Sequence, residues 1–200
     1  MIGADSGIAN VRPRVAGVGD LPVVSALLAR VLDESIKMRG GVVAAAREAA
    51  WIAKADVSAL ASRLRDGDHR IWIACESDPT IDTGGEARGI EGSGLRRDSS
   101  AQGASDRPDS VVGIGAAHVE LLADGTLHGV IDLAYTLPRA RREGIASGLV
   151  LAMMKWLTER GCRDIDALAL PGDRLAKSLF ESEGFKARLL VMNASIAEEN

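Results

Sequence analysis

Aromatic side chains are scarce in this chain, with three Trp, one Tyr and two Phe in 200 residues, or 3%. Platforms on which bases or sugars could stack are correspondingly few. Cysteine is limited to Cys75 and Cys162, which form neither a disulfide framework nor a CxxC metal knuckle. Both read as buried, inert thiols on strands, and no metal site is expected. Basic charge is not in excess: the net charge is −4, which offers no cationic surface to hold nucleic acid through counterion release. No apolar run reaches the ~18 residues of a membrane span. The opening Met1-Ile2-Gly3-Ala4-Asp5-Ser6 lacks the basic and greasy parts of a signal peptide, so a cytoplasmic protein is the expectation. Neither a P-loop, a dinucleotide GxGxxG nor a Gly-x-Ser-x-Gly elbow is present.

Core-forming residues and glycine are plentiful. Hydrophobic residues make up 46% and charged residues 26%, ordinary values for a globular domain. Glycine stands at 22 of 200, above the average of roughly 7%.

Residues 1–10 and 196–200 read as flexible ends of a single domain spanning 11–195. Val11 to Val15 alternates apolar and polar residues, as a strand does. Gly19-Asp20-Leu21-Pro22 opens a helix, with Asp20 placed to cap it. Val24, Leu27, Leu28 and Val31 repeat at helical spacing and predict one buried stripe. An alanine-rich helical segment follows from about Val42 to Arg65. Ile71 to Cys75 is a continuous apolar run, the pattern of a strand covered on both faces.

Residues 77–110 contain 6 Gly, 6 Ser and 5 Asp. Such composition buries too little surface to offset its ordering entropy, and the segment reads as a disordered insertion. Val112 to Leu121 and Leu127 to Leu137 predict a hairpin turning at Asp124-Gly125. A two-residue turn there would set Ala117 opposite Asp132, Val119 opposite Val130 and Leu121 opposite His128. In that register His118 and Asp132 lie on opposite faces. A helix with Ile145, Leu149, Ala152 and Trp156 on one face follows, ending at Arg160-Gly161. A strand from Ile165 to Leu170, a helix opened by Pro171-Gly172-Asp173 and closed by Gly184, and a strand from Phe185 to Asn193 complete the chain. The fold class is α/β, a mixed, mostly antiparallel twisted sheet with helices on both faces.

The chemistry concentrates where the second hairpin strand meets the next helix. Pro138 ends the strand, Arg139, Arg141 and Arg142 supply positive charge, and Gly144 and Ala146 let a helix N-terminus approach a ligand closely. Free amides and the positive end of the helix dipole make such a turn an anion site. The stretch Leu133-Ala134-Tyr135-Thr136-Leu137-Pro138-Arg139-Ala140-Arg141-Arg142-Glu143-Gly144-Ile145-Ala146 resembles the acetyl-CoA-binding motif of the GNAT superfamily of N-acetyltransferases, a strand and a proline followed by Q/R-x-x-G-x-G/A. Asp173 and, later, Leu179-Phe180-Glu181-Ser182-Glu183-Gly184-Phe185 stand where that superfamily has an Asn-led helix ending in L-Y-x-x-x-G-F. The likeness is specific over 111–187; over 11–76 only the element order matches.

The resemblance implies acetyl-CoA as acyl donor. The backbone of Ala134, Tyr135 and Thr136 would pair with the pantetheine arm. The amides of Arg142, Glu143, Gly144, Ile145, Ala146 and Ser147, with Arg141 beside them, would hold the pyrophosphate, and Asp173 and Phe180 would complete the cofactor site. The acceptor, a small-molecule or peptide amine, would enter from the side of the first two helices and attack the thioester directly. No metal, nucleic acid or membrane is implied, and a homodimer is left open. Three departures stand out: Asp173 replaces the usual Asn, Ala146 the second glycine, and Phe180 the tyrosine that often protonates the leaving thiolate. Asp132 is the candidate general base, with Asp166 on the neighbouring strand behind it, and Tyr135 is a secondary candidate acid. A regular strand points Tyr135 away from Asp132, and a bulge would reverse that. His69 reads as a solvated turn residue, and Trp51 and Trp72 as core. A CoA-binding protein without catalysis, and an acyltransferase for protein amines, are the rival readings.

Overall fold

The computed structural model describes residues 13–38, 56–76 and 111–188. The expected flexible ends, the insertion at 77–110, Trp51 and the first part of the alanine-rich helix lie outside the described residues, wholly or in large part. The elements in chain order are β1 (Pro13–Val15), α1 (Leu21–Ile36), α2 (Val57–Asp66), β2 (His69–Cys75), β3 (Val111–Leu121), β4 (Leu127–Thr136), α3 (Ile145–Glu159), β5 (Asp164–Ala167) and α4 (Arg174–Ser182). The strands form one sheet in the order β1-β2-β3-β4-β5. The first four run antiparallel to their neighbours, and β4 and β5 are parallel. No helix among the described residues is long and apolar enough to cross a membrane.

Each sheet face carries its own core. On one face α3 buries Ile145, Leu149, Val150, Met153, Trp156 and Leu157 against Trp72, Ala74, Ala117 and Ile131. On the other, α1 and α2 bring Leu21, Val24, Leu27, Leu28 and Leu60 onto Ile71, Ile73, Ile114 and Ala116. The β2 run is thus covered on both sides, which is why it is apolar without alternation. Three strand glycines lie under α3. A Cβ on Gly113 would stand 3.0 Å from Ile145 Cγ2, one on Gly115 3.1 Å from Met153, and one on Gly129 2.9 Å from Leu157 Cδ1. These three glycines therefore serve close helix-to-sheet approach.

The hairpin departs from the expected register. Leu121 faces Leu127, His118 faces Val130 and Ala117 faces Ile131. The turn is longer than two residues: Gly125 N–H donates to the Leu122 carbonyl and Leu122 N–H to the Thr126 carbonyl, both at 2.9 Å. Gly125 has φ +81°, the pattern of a type I turn closed by a left-handed glycine. A bulge then intervenes, because Ala116 faces Leu133 while Ala117 faces Ile131, leaving Asp132 as the extra residue. Beyond it the pairs Gly115–Ala134 and Gly113–Thr136 are those a two-residue turn would have produced.

Further corrections are local. Asp20 sits at the N-terminus of α1 without capping it; its carboxylate accepts from Gly17 N–H (2.7 Å) and Arg14 (2.8 Å) instead. Cys162 is buried in the loop before β5, not on a strand. The strand expected over 165–170 ends at Ala167, and residues 185–188 of the expected last strand are irregular. The remainder of that strand, to Asn193, lies outside the described residues.

Candidate active site

Among the described residues, strand β4 loses its neighbour halfway along. Pairing with β5 runs from His128–Asp164 to Ile131–Ala167 and stops there, while β4 continues to Thr136. Leu137 N–H donates to the Val112 carbonyl at 2.8 Å. By the alternation of an antiparallel ladder, Ala134 and Thr136 turn their backbone groups away from β3, toward the side β5 has left. Arg141 Nε donates to the Thr136 carbonyl there, at 3.3 Å. Thr136 Oγ1 is buried and has no hydrogen-bond partner among the described residues.

The chain then passes through a single 3-10 turn, Pro138–Ala140, into the start of α3. Arg142 has φ +72° and Gly144 φ +75°, with Glu143 between them outside the left-handed region. Backbone that alternates in this way aims successive amides into one concavity that suits an anion. The first intrahelical bond runs from Gly148 N–H to the Gly144 carbonyl at 2.9 Å. The amides of Ile145, Ala146 and Ser147 thus form the first turn of a helix, which no carbonyl within the helix can satisfy. A Cβ on Gly144 would meet no atom of the described residues within 4 Å, so among them the backbone angle, not crowding, selects glycine here. Arg141 and Arg142 are exposed at this turn, and Arg139 Nε approaches Glu76 at 3.6 Å.

Asp173 and Phe180 are placed by local structure. Asp173 accepts the Ala176 N–H at 2.9 Å as the N-cap of α4. Phe180 is buried and tilts against Phe185 with ring centroids 5.4 Å apart.

The bulge decides which face of the sheet Asp132 takes. It turns Asp132 toward the α1 and α2 side, onto the face of His118, with His118 Nδ1 at 2.8 Å from Asp132 Oδ2. The expectation that these residues lie on opposite faces is therefore overturned. The Asp132 side chain is only 1% exposed. His118 Nε2 reaches Glu120 Oε1 at 3.0 Å. His69, expected to be solvated in a turn, lies on β2 and stacks on the His118 ring at 5.4 Å, 12° from parallel. His128 Nε2 meets Asp166 Oδ2 at 3.1 Å. Burial presses the His118 pKa down, but the hydrogen bonds and charges of Asp132 and Glu120 outweigh it, and the imidazole is held above 6.5. No group of three or more His, Cys, Asp or Glu among the described residues could hold a metal ion.

Beyond the bulge Ala134 packs on the α3 side and Leu133 and Tyr135 on the α1 side. Tyr135 therefore shares the Asp132 face. Its hydroxyl donates to Glu34 Oε1 and Oε2 at 3.0 and 3.2 Å, and Arg30 Nε donates to Glu34 Oε1 at 3.2 Å. Burial first, and the Glu34 carboxylate second, push the Tyr135 phenol above its usual pKa, so it stays protonated at neutral pH. Glu34 was not singled out from the sequence. It stands three residues past Val31, where the apolar stripe of α1 would continue, and that interruption was the available signal.

A mixed sheet that splays at its parallel pair, with a helix N-terminus at the mouth of the splay, defines the fold of acyl-CoA N-acyltransferases. The profile of the acetyltransferase (GNAT) family matches residues 71–185, and the chain belongs to that family. Acyl transfer is the general chemistry that membership brings. Solved structures share the fold at low identity. A Trypanosoma brucei acetyltransferase superposes with a TM-score of 0.58 at 16% identity, covering 94% of this chain and 100% of its own. An aminoglycoside acetyltransferase from an uncultured soil metagenomic sample, in complex with trehalose, gives 0.59 at 14%, covering 94% and 97%. A predicted acetyltransferase from Clostridium acetobutylicum, solved with acetyl-CoA, gives 0.57 at 17%, covering 92% and 96%. No curated protein matches the chain.

Proposed function

We propose that the protein transfers an acetyl group from acetyl-CoA to a primary amine by direct attack. The observation that carries this reading is the continuity of the splayed half of β4, beyond Ile131, with the amide turn at Gly144. An extended polar arm can add to the first, and a pyrophosphate suits the second. The residues present fit the donor: Ala134 and Thr136 offer backbone groups, the buried Thr136 hydroxyl has no hydrogen-bond partner among the described residues, and Arg141 and Arg142 flank the amides. Bound acetyl-CoA would supply the thioester.

On the acceptor side, an alkylammonium with a pKa near ~10.4 must lose a proton before it can attack. Asp132 takes that proton, through a water where its burial prevents direct contact. The amine lone pair then forms the C–N bond, the C–S bond breaks as the thiolate leaves, and the nitrogen sheds its second proton, which reaches the thiolate through water. The thiolate leaving group has a pKa near ~8.5 by analogy with cysteine, so water can protonate it without the tyrosine that Phe180 replaces. Tyr135, locked onto Glu34, is the secondary acid. A cytoplasmic setting and an acceptor that is a small or peptide amine belong to the same reading.

The buried Phe180 keeps a second reading in view, a CoA-binding protein without turnover. Thiol release from acetyl-CoA, measured against a panel of small amines and lysine peptides, decides between them. Acceptor-dependent thiol release supports the enzyme; acetyl-CoA binding by calorimetry with no release supports the binding protein.

A further inference from the structure

All three histidines of the chain, His69, His118 and His128, stand on the face of the sheet that carries Asp132. His118 is central among them, because each of its ring nitrogens meets a different carboxylate: Nδ1 meets Asp132 at 2.8 Å and Nε2 meets Glu120 at 3.0 Å. Ionised carboxylates only accept. A neutral imidazole has one N–H to donate, so both contacts are hydrogen bonds only when the ring carries two protons. The two carboxylates differ in setting: the Asp132 side chain is 1% exposed, whereas that of Glu120 is 51% exposed. A carboxylate buried to that degree goes neutral unless a positive partner or donated hydrogen bonds keep it charged, and a neutral Asp132 cannot accept a proton.

We propose that His118 is a positioning residue, an imidazolium clamped between Glu120 and Asp132 that keeps Asp132 ionised and fixed at the β4 bulge. The inference rests on the acetyl-transfer reading, in which Asp132 is the base. It adds an element that reading does not need: the charge of the buried base is set from β3. The groups facing His118 are consistent with a cation there. Asp132 on β4 and Glu120 on β3 are acidic. His69 on β2 lies flat against the ring. His128, opposite Glu120 on β4, is paired with Asp166 on β5. On the helices over this face, α1 presents Arg30 and Glu34 to each other and to Tyr135, while α2 carries Arg63 and Arg65 in its last turn.

The test reads the titration of the Asp132 carboxyl by carbon NMR in the whole chain, comparing wild type with His118→Gln. Glutamine keeps a donor for Asp132 and removes the charge. An opposite charge at this range lowers an Asp pKa by about 1–3 units, so His118→Gln should raise the Asp132 midpoint by that amount. The acid limb of kcat/KM should move up with it, while acetyl-CoA affinity measured by calorimetry stays the same. Glu120→Gln, at a position with a 51% exposed side chain, should lower the His118 midpoint seen by nitrogen NMR. An Asp132 midpoint identical in wild type and His118→Gln overturns the clamp. The two readings fail separately. Wild-type turnover in Asp132→Asn, with the His118-dependent titration intact, removes the base and leaves the clamp; an inactive Asp132→Asn with an unmoved titration does the reverse.

Discussion

The hydroxyl of Tyr135 on β4 donates to both oxygens of Glu34 on α1, at 3.0 and 3.2 Å, tying the unpaired half of the strand to the helix packed over it. The phenol's proton is therefore engaged, and its raised pKa keeps it from ionising near neutrality. Tyr135→Phe should lower acetyl transfer by less than about tenfold, and the pH–rate profile should show no tyrosine limb. Loss of all turnover in a folded Tyr135→Phe protein would make the phenol the acid that Phe180 cannot be.

Asp132 carries the larger expectation. Removing a general base costs roughly 10²-fold or more, so Asp132→Asn should lose that much in kcat while calorimetry shows acetyl-CoA affinity kept. A fall in affinity matching the fall in rate would assign Asp132 to donor binding instead.

At the anion turn, Gly144→Glu should abolish acetyl-CoA binding in a protein that still folds. The φ of +75° costs a side-chain-bearing residue about 1–2 kcal/mol, a modest loss that urea unfolding can measure. The added carboxylate opposes a pyrophosphate at the same place. Unchanged affinity in the folded variant would remove the turn from the donor site.

The stability of the fold should depend on pH through His118. Its imidazole is held above 6.5 in the folded chain, so its contribution is complete below the unfolded value of about 6.5 and is lost as pH rises through the folded value. The thermal midpoint of the wild type should therefore fall across that window more than the midpoint of His118→Gln does. Parallel curves for the two proteins would show that the imidazolium contributes nothing.

Much of this architecture was legible in residues that serve one element only. The stripe of Val24, Leu27, Leu28 and Val31, the apolar run of β2, and the Pro138-to-Ala146 passage each follow from local periodicity or turn chemistry. The hairpin register was not legible, because Asp-Gly suits both a two-residue turn and a type I turn closed by glycine. What selects the longer loop is Asp124 Oδ1, which accepts from Thr126 N–H at 2.9 Å and Thr126 Oγ1 at 2.7 Å. That moves the pairing by one residue, and the Asp132 bulge moves it back. The expected pairs are therefore recovered at Gly113 and Thr136 and missed between them, where His118 meets Asp132. The Glu34–Tyr135 contact joins residues 101 apart in sequence, and no local pattern reports such a pair.

The three glycines under α3 have a mechanical consequence. Gly113 bears on Ile145 and Leu149 in the first turns, Gly115 on Met153 in the middle and Gly129 on Leu157 in the last. Together they line the seat on which α3 rests, from the turn at Gly144 to its last turn. A methyl group at Gly113 would press on Ile145 and Leu149 beside that turn, whereas one at Gly129 would press on Leu157 at the far end. How closely the helix lies on the sheet is thus set by the absence of side chains on the strands beneath.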